Sequence, residues 1–148
     1  RMAAIKRVAL VAHDNKKQTL LSWVKQNQAR LASCELITTG TTGLLINEAT
    51  GLSVTRVHSG PLGGDQQIGA RISEQTIDLL IFFWDPLEPM SHDPDIKALL
   101  RIVTLWNIPI ACNQSSADFI VSSPLMEQYQ RVQPDFTVYE KRSLPTGS

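Results

Sequence analysis

Residues 77–84 read IDLLIFFW, an apolar run of strand length in which Asp78 is the only charged side chain. Such a run predicts a β-strand buried on both faces, as happens at the centre of a parallel sheet that has helices on both sides. Residues 5–12, which read IKRVALVA, have nearly the same apolar character. We therefore expect the first and the fourth strand of the chain to lie at the centre of one parallel sheet.

Three more apolar segments of strand length lie at residues 34–39, 53–58 and 108–112. The segment at 53–58 carries Arg56 and His58, and such side chains favour a strand at the edge of the sheet. Strand segments alternate with segments of helical period, which indicates parallel strands joined by crossover helices. The chain is therefore predicted to be α/β, a three-layer sandwich with a five-stranded parallel sheet flanked by helices.

Apolar stripes at helical spacing mark two of the predicted helices, and both stripes are expected to pack on the sheet. Their members are Leu20, Leu21, Val24 and Leu31 in the first, and Ile96, Leu99, Leu100, Val103 and Trp106 in the second. A chain of 148 residues has room for one domain, so we expect a single domain over residues 1–148. Its core would span about 5–125, and the polar tail at 134–148 would be a docked extension or a mobile end.

The composition restricts the partners and the compartment. Lys plus Arg and Asp plus Glu number 14 each, so the overall charge attracts neither nucleic acid nor an anionic membrane. The N-terminus has no signal-peptide pattern, and no run reaches the roughly eighteen apolar residues of a membrane helix. Cys34 and Cys112 lie in apolar segments and are expected to be buried free thiols. We therefore expect a cytoplasmic protein whose partner is a small molecule.

Polar residues follow every predicted strand at its carboxyl end, where open parallel sheets bind their ligands. They are His13 and Asp14 after the first strand, Thr39 to Gly43 after the second, Ser59 to Gln67 after the third, Asp85 and Pro86 after the fourth, and Asn113 after the fifth. Because these strand ends share one edge of the sheet, we expect the residues to form one site there.

Two glycine-rich loops at this edge are candidates for binding an anion. Residues 38–43 read TTGTTG, where Gly40 and the backbone N–H groups at the start of the next helix favour a phosphate. A threonine-capped turn without a ligand explains that segment equally well. The second loop, SGPLGG at 59–64, shifts the balance to phosphate because it supplies further N–H groups on the same edge. Lys17 either adds the cation that a phosphate dianion needs or is an ordinary surface lysine.

Five ionisable residues are candidates for acid–base chemistry. Asp65 follows the second glycine loop, where it either caps a helix or acts as a general base on a proton made acidic by a carbonyl. In the segment SHDPD, His92 is suited to stabilise negative charge on an oxygen, and Asp95 to fix its tautomer. His13 and Asp14 form a second pair of this kind, and the composition does not rank the two pairs. The spacing of the histidines matches no metal motif, so no metal ligand is predicted.

Seven segments together form a pattern that is far more specific than any single loop. They are VAHD, TTGTTG, ATGLSV, SGPLGGDQQIGA, IFFWDPL, HDPDIKALLR and ADFI. In this order and spacing, over about residues 5–125, they resemble the methylglyoxal synthase family. The resemblance implies a five-stranded parallel sheet, a cytoplasmic homohexamer, no metal or organic cofactor, and inhibition by inorganic phosphate. It also implies the reaction, in which dihydroxyacetone phosphate loses phosphate to give methylglyoxal.

Position by position, the resemblance assigns roles at the site. Asp65 falls on the catalytic base, and His92 would lie by the carbonyl and hydroxyl oxygens of the substrate. Asp14 and Asp95 match acidic positions, with supporting roles expected. Together with the loop residue Gly40, the residues expected to bind the substrate and its phosphate are His13, Lys17, Thr39, Thr41, Thr42, Ser59 and Gly60. The tail departs from the family's tyrosine-and-arginine ending, which leaves open whether Arg142 serves at the phosphate.

Two other classes of α/β protein also bind anions at this edge of a sheet. The effector-binding domain of carbamoyl phosphate synthetase has the same fold and needs an anion cradle without catalytic groups, so Asp65, His92 and Asp95 favour an enzyme. A phosphoacceptor receiver domain requires paired acids after the first strand and a lysine after the fifth. The chain has His13–Asp14 and Asn113–Gln114 there, which disfavours that class. We predict a phosphate-eliminating lyase, with an anion-binding regulatory domain as the alternative.

Overall fold

The computed structural model describes residues 6–88, 93–128 and 130–142, without the side chains of residues 93, 141 and 142. The strands are β1 (Arg7–Ala12), β2 (Glu35–Thr39), β3 (Val54–Val57), β4 (Leu79–Phe83) and β5 (Ile110–Ala111). They form one five-stranded sheet in the order β3-β2-β1-β4-β5, and every neighbouring pair is parallel. The predicted five-stranded parallel sheet is confirmed.

The burial of the strands follows their apolar content. β1 lies between β2 and β4, and every residue of β4 is buried, so the two predicted central strands are interior strands. β3 is an edge strand, as predicted, and its Arg56 is exposed. β5 is shorter than the predicted segment 108–112. Pro109 accepts a bond from Leu80 N–H but has no N–H of its own to donate to the ladder.

Eight α-helices connect and follow the strands within the described residues. They are α1 (Lys17–Gln26), α2 (Gln28–Leu31), α3 (Thr42–Thr50), α4 (Gly64–Ser73), α5 (Asp93–Leu105), α6 (Gln114–Ser122), α7 (Leu125–Gln128) and α8 (Thr137–Arg142). Two 3₁₀ turns, at 14–16 and 60–62, lead into α1 and α4. In the part of the chain that the structure describes, no helix has the length and apolar content needed to cross a membrane.

Two apolar clusters, one on each face of the sheet, make the three-layer sandwich. On one face Leu10 of β1 packs in a cluster with the fully buried Trp23 of α1. On the other face Phe82 of β4 belongs to a cluster with Ile72 of α4 and Leu99 of α5. Each predicted helical stripe belongs to one of these clusters, so both stripes lie on the sheet as expected.

The tail docks against the end of α5 over the part that is described. The buried Arg131 donates from Nη1 to the carbonyl oxygen of Trp106 at 3.1 Å. The rings of Trp106 and Phe136 meet edge to face, with centroids 5.1 Å apart. Residues 131–136 are therefore a docked extension, whereas 143–148 lie outside the described residues.

The two cysteines are free, but each is only partly buried. The prediction of buried thiols is wrong because Cys34 directly precedes β2 and Cys112 directly follows β5, so both lie at strand ends rather than in the interior of the sheet. Partial burial still raises the pKa of the Cys34 thiol, since the thiolate is the charged form that burial disfavours.

Candidate active site

A cleft opens at the carboxyl end of the sheet, where the sequence predicted the site. Its lining comes from the loops after β1, β2, β3 and β4 and from the first turns of α1 and α4. The predicted site residues that line it are His13, Asp14, Lys17, Thr39, Gly40, Ser59, Gly60 and Asp65. The structure therefore brings most of the predicted residues together in one place.

The loop after β2 is packed closely against the loop after β3. Gly40 adopts a positive φ of 54°, and its N–H donates to Val57 O at 3.1 Å. A Cβ atom at Gly40 would lie 3.0 Å from the Cβ of Ser59. Glycine therefore suits this position for two reasons: it tolerates the left-handed backbone, and it leaves room for the neighbouring loop.

Thr41 and Thr42, which were predicted to bind phosphate, are not among the residues that line the cleft. Thr41 is exposed, and its Oγ1 accepts a hydrogen bond from Lys17 Nζ at 3.3 Å. Thr42 is the first residue of α3, and its buried hydroxyl has no hydrogen-bond partner among the described residues. A buried hydroxyl without a partner is costly, and at a helix N-terminus it is suited to an anion.

The loop after β3 holds Asp65 at the cleft. Gly64 N–H donates to Ser59 O at 2.9 Å, and a Cβ at Gly64 would overlap the carbonyl oxygen of His58. The lack of a side chain therefore lets α4 begin directly against the end of β3. Gln67 adds a second tie, since its Oε1 accepts His58 N–H at 2.7 Å. Asp65, half-buried in the first turn of α4, is thereby positioned in the cleft.

Lys17 and Asp14 form an ion pair in the lining of the cleft, with 2.9 Å between Nζ and Oδ1. The hydrogen bond from Lys17, and next its positive charge, lower the pKa of the Asp14 carboxyl. The Asp14 side chain is 89% exposed, whereas that of Lys17 is 26% exposed. Asp14 is thus an ionised partner that orients the lysine, which agrees with a supporting role.

His13 is held by Asp85, which was predicted to lie at this edge of the sheet. The backbone N–H of Asp85 donates to His13 Nδ1 at 3.2 Å. The buried Asp85 carboxylate accepts from Asn15 Nδ2 at 3.0 Å and from Leu87 N–H at 2.9 Å. These two hydrogen bonds lower the pKa of the Asp85 carboxyl, and the bond from Asn15 has the larger effect. Its position directly after β4 agrees with the prediction that the residues following the strands meet at this edge.

Asp95 lies beside the cleft rather than in its lining. Its Oδ1 accepts from Gln66 Nε2 at 3.0 Å, and it lines a groove between α4 and α5 that Asp65 also borders. His92, the other predicted residue of this segment, lies outside the described residues. Glu88 lines the cleft and was missed, because a lone acid in a loop is usually a solvated surface residue. Among the described side chains, no group of three or more His, Cys, Asp and Glu is placed to hold a metal ion.

Comparison with known proteins decides the family. A family model described as MGS-like domain matches residues 19–112, more than half of the chain. The methylglyoxal synthase of Hahella chejuensis (strain KCTC 2396) is 61% identical over 145 residues, which cover 98% of this chain and 95% of that protein. The methylglyoxal synthase of Cellvibrio japonicus (strain Ueda107) is 56% identical over 142 residues, which cover 95% of this chain and 92% of that protein. The chain belongs to the methylglyoxal synthase family.

A solved structure of a methylglyoxal synthase agrees with this assignment. The crystal structure of the protein from Elizabethkingia anophelis NUHP1 is 51% identical and superposes with a TM-score of 0.90, covering 99% of this chain and 97% of that one. The predicted family, the three-layer fold and the expectation of an enzyme are confirmed. The alternative of a regulatory anion-binding domain is disfavoured, because the similarity to methylglyoxal synthases extends over nearly the whole chain.

Proposed function

We propose that this chain is a carbon–oxygen lyase that converts dihydroxyacetone phosphate to methylglyoxal and inorganic phosphate. One observation carries the proposal: the carboxylate of Asp65 shares a cleft with two glycine loops and with Lys17. A base and an anion cradle in one cleft are what an elimination of phosphate requires. Membership of the methylglyoxal synthase family supports the identity of the substrate.

The reaction begins with a proton transfer to Asp65. The carboxylate removes a proton from the hydroxymethyl carbon, which the neighbouring carbonyl makes acidic, and an enediolate forms. The electrons of the enediolate then break the carbon–oxygen bond on the other side of the carbonyl, and phosphate leaves with the bonding pair. The remaining enol tautomerises to methylglyoxal. We assign to His92 a hydrogen bond that stabilises the negative charge on the enediolate oxygen.

The orientation of the phosphate decides between elimination and isomerisation. If the carbon–oxygen bond to phosphate lies in the plane of the enediolate, elimination is slow and reprotonation gives the aldose isomer. If the bond stands out of the plane, orbital overlap favours loss of phosphate. We assign this orientation to the cradle, which holds the phosphate in one geometry. Its members are Lys17, Thr39, Gly40, Thr41, Thr42, Ser59 and Gly60.

The remaining predicted residues have supporting roles in this proposal. Asp14 orients Lys17 through the 2.9 Å ion pair, which places the cation at the cradle. Asp95 is held against α4 by Gln66, next to the turn that carries Asp65. His13 lines the cleft and contacts the substrate.

One assay separates this function from its alternatives. The purified protein is incubated with dihydroxyacetone phosphate, and methylglyoxal, inorganic phosphate and the aldose isomer are each measured. Release of methylglyoxal and phosphate in equal amounts supports the proposal. Binding of phosphate with no turnover would indicate a regulatory anion-binding domain instead. Isomer without phosphate release would contradict the assigned geometry of the cradle.

We also infer that inorganic phosphate inhibits the enzyme and that the protein is an allosteric homohexamer. A cradle of N–H groups, hydroxyls and one lysine discriminates poorly between a phosphate ester and the free anion. If identical cradles communicate between subunits, phosphate makes substrate saturation sigmoidal. Light scattering measures the mass, and initial rates at millimolar phosphate measure the inhibition. A monomeric mass would reject the hexamer, and unchanged rates would reject the phosphate assignment.

A cytoplasmic location is part of the same proposal. The substrate is a phosphorylated triose, and charged phosphate esters do not cross the apolar interior of a membrane unaided. The enzyme is therefore expected where such esters are made. Cell fractionation followed by an activity assay tests this location, and recovery of the activity outside the cytoplasmic fraction contradicts it.

A further inference from the structure

The imidazole of His13 is bonded to a group that can only donate. Its Nδ1 lies 3.2 Å from the backbone nitrogen of Asp85, whose N–H points at it. A backbone N–H has no lone pair to offer, so Nδ1 must be the acceptor and cannot carry a proton. In the neutral ring the proton therefore resides on Nε2, and His13 is one of the residues that line the cleft.

The ring and backbone of His13 are fixed against β4. His13 N–H donates to Phe83 O at 3.1 Å, which extends the pairing of β1 with β4 by one residue. The ring of His13 meets that of Phe82 edge to face, with centroids 5.5 Å apart and an interplanar angle of 80°. The ring orientation thus depends on where the loop after β4 places the Asp85 N–H.

Asn15 holds that loop in place. Both carboxylate oxygens of Asp85 are used: Oδ1 accepts Leu87 N–H at 2.9 Å, which closes a local turn, and Oδ2 accepts Asn15 Nδ2 at 3.0 Å. Asn15 lies in the 3₁₀ turn after β1, 70 residues away in sequence, and does not line the cleft. Any effect of Asn15 on the chemistry must therefore pass through another residue.

We propose that Asn15 is a positioning residue that, through the turn at Asp85, holds His13 as the neutral Nε2–H tautomer. His13 then presents a hydrogen-bond donor to a substrate oxygen and does not act as a proton acceptor. The tautomer is a property of the resting protein, whereas the identity of the oxygen rests on the proposed lyase function.

The ring nitrogens of His13 give the direct test. Two-bond ¹H–¹⁵N spectra of histidine-labelled protein are recorded without substrate at about pH 8, above the ordinary histidine pKa of about 6.5. A His13→Gln variant assigns the signals. We expect a pyridine-type shift for Nδ1 and a pyrrole-type shift for Nε2. A pyrrole-type shift at Nδ1 in the unsubstituted protein overturns the proposal.

The variant Asn15→Ala tests the positioning role. We expect its His13 shifts to move toward the average of the two tautomers and its kcat/KM to fall roughly tenfold, the cost of one poorly oriented hydrogen bond. Asn47→Ala is the matched control, because it removes one Nδ2 bond of similar length, from α3 to Leu52 O at 2.9 Å. An Asn15→Ala spectrum identical to that of the unsubstituted protein overturns the proposal, whatever its activity.

A second variant keeps the proposal testable if Asn15→Ala does not fold. Asn15→Asp keeps the size of the side chain and replaces the donor by a second carboxylate opposite Asp85. It should change the His13 chemical shifts at least as much as Asn15→Ala does. An unchanged spectrum would contradict the role of the hydrogen bond between Asn15 and Asp85. If the unsubstituted protein lacks lyase activity while the spectra behave as expected, the proposed function fails and the positioning role stands.

Discussion

The amino edge of the sheet, where its strands begin, and the carboxyl edge, where they end, differ in how their polar groups are hydrogen-bonded. At the amino edge, Arg7 Nη2 and Nε donate to Asp78 Oδ1 and Oδ2, each at 3.1 Å, and Arg7 N–H adds a bond of 2.9 Å. Asp78 is 1% exposed, and its hydrogen bonds are the main cause that raises the pKa of Arg7. At the carboxyl edge, the buried hydroxyl of Thr42 has no partner among the described residues. The buried carboxylate at the amino edge is paired by three hydrogen bonds from Arg7, whereas the carboxyl edge keeps a buried hydroxyl that the described residues leave unpaired.

The largest effect is expected from Asp65→Asn at the carboxyl edge. Asparagine keeps the size and removes the basic carboxylate, and a general base commonly contributes about 10²–10⁴ in rate. Turnover should fall by that factor, as should exchange of the substrate's carbon-bound proton with solvent, while a phosphate-bearing enediolate mimic still binds. Asp118→Asn on α6 is the control, because Asp118 does not line the cleft and asparagine keeps an oxygen that can accept the bond from Trp23 Nε1.

Two further variants locate the base. Asp14→Asn and Asp95→Asn should lower proton exchange less than Asp65→Asn does, because these carboxylates are bonded to Lys17 and Gln66 and orient neighbours. Near-normal exchange in Asp65→Asn, together with abolished exchange in either of the others, would show that the base is misassigned.

At the amino edge, Asp78→Ala should destabilise the protein without changing the chemistry. Asp78 is buried and Arg7 is partly exposed, so the substitution removes three hydrogen bonds from Arg7, and we expect a loss of about 2 kcal/mol in the free energy of unfolding. Urea unfolding measures this loss, with Glu48→Ala, an exposed acid on α3, as the control. The kcat of the folded fraction should be unchanged, and a large fall in kcat would erase the contrast between the two edges.

Thr42 and Thr38 provide a matched pair, since both hydroxyls are buried without a partner in the described part of the chain. Thr42→Val should raise the KM for substrate and the inhibition constant for phosphate by about tenfold, the loss of one hydrogen bond to an anion. Thr38→Val should leave both constants unchanged and should be neutral or slightly stabilising. Equal effects of the two substitutions would contradict the placement of Thr42 in the cradle.

The smallest effect is expected from Asp14→Asn, since the Asp14 side chain is 89% exposed. Asp14 has a lowered pKa in the folded protein, so its ion pair stabilises above the unfolded pKa of about 3.9 and is lost as pH falls through the folded value. Because Asp14 is largely exposed, solvent screens the pair and Asp14→Asn should cost less than about 1 kcal/mol at pH 7. Thermal unfolding at pH 7 and pH 3 measures the difference, which should be smaller at pH 3. A difference as large at pH 3 as at pH 7 would assign it to something other than the Lys17 pair.

The sequence by itself determined the strands, their burial and the edge of the site. The apolar runs at 5–12 and 77–84 predict interior strands, because a strand covered on both faces needs apolar side chains on both. The position of Asp65 after a glycine loop was equally readable, since the carboxyl ends of parallel strands meet at one edge. Burial of the cysteines was predicted wrongly, because composition does not show that Cys34 and Cys112 stand just outside the sheet.

Only the tertiary structure decided how the side chains of that edge are paired. Asn15 and Asp85 are 70 residues apart and meet because β1 pairs with β4. The strand order is a property of the whole packed sheet, and no local pattern of residues encodes it. The same holds for Asp95, which the sequence placed with His92 and the structure bonds to Gln66 of α4. Hydrophobic periodicity specifies which face of an element is buried, whereas a hydrogen bond of about 3 Å depends on how separate elements pack together.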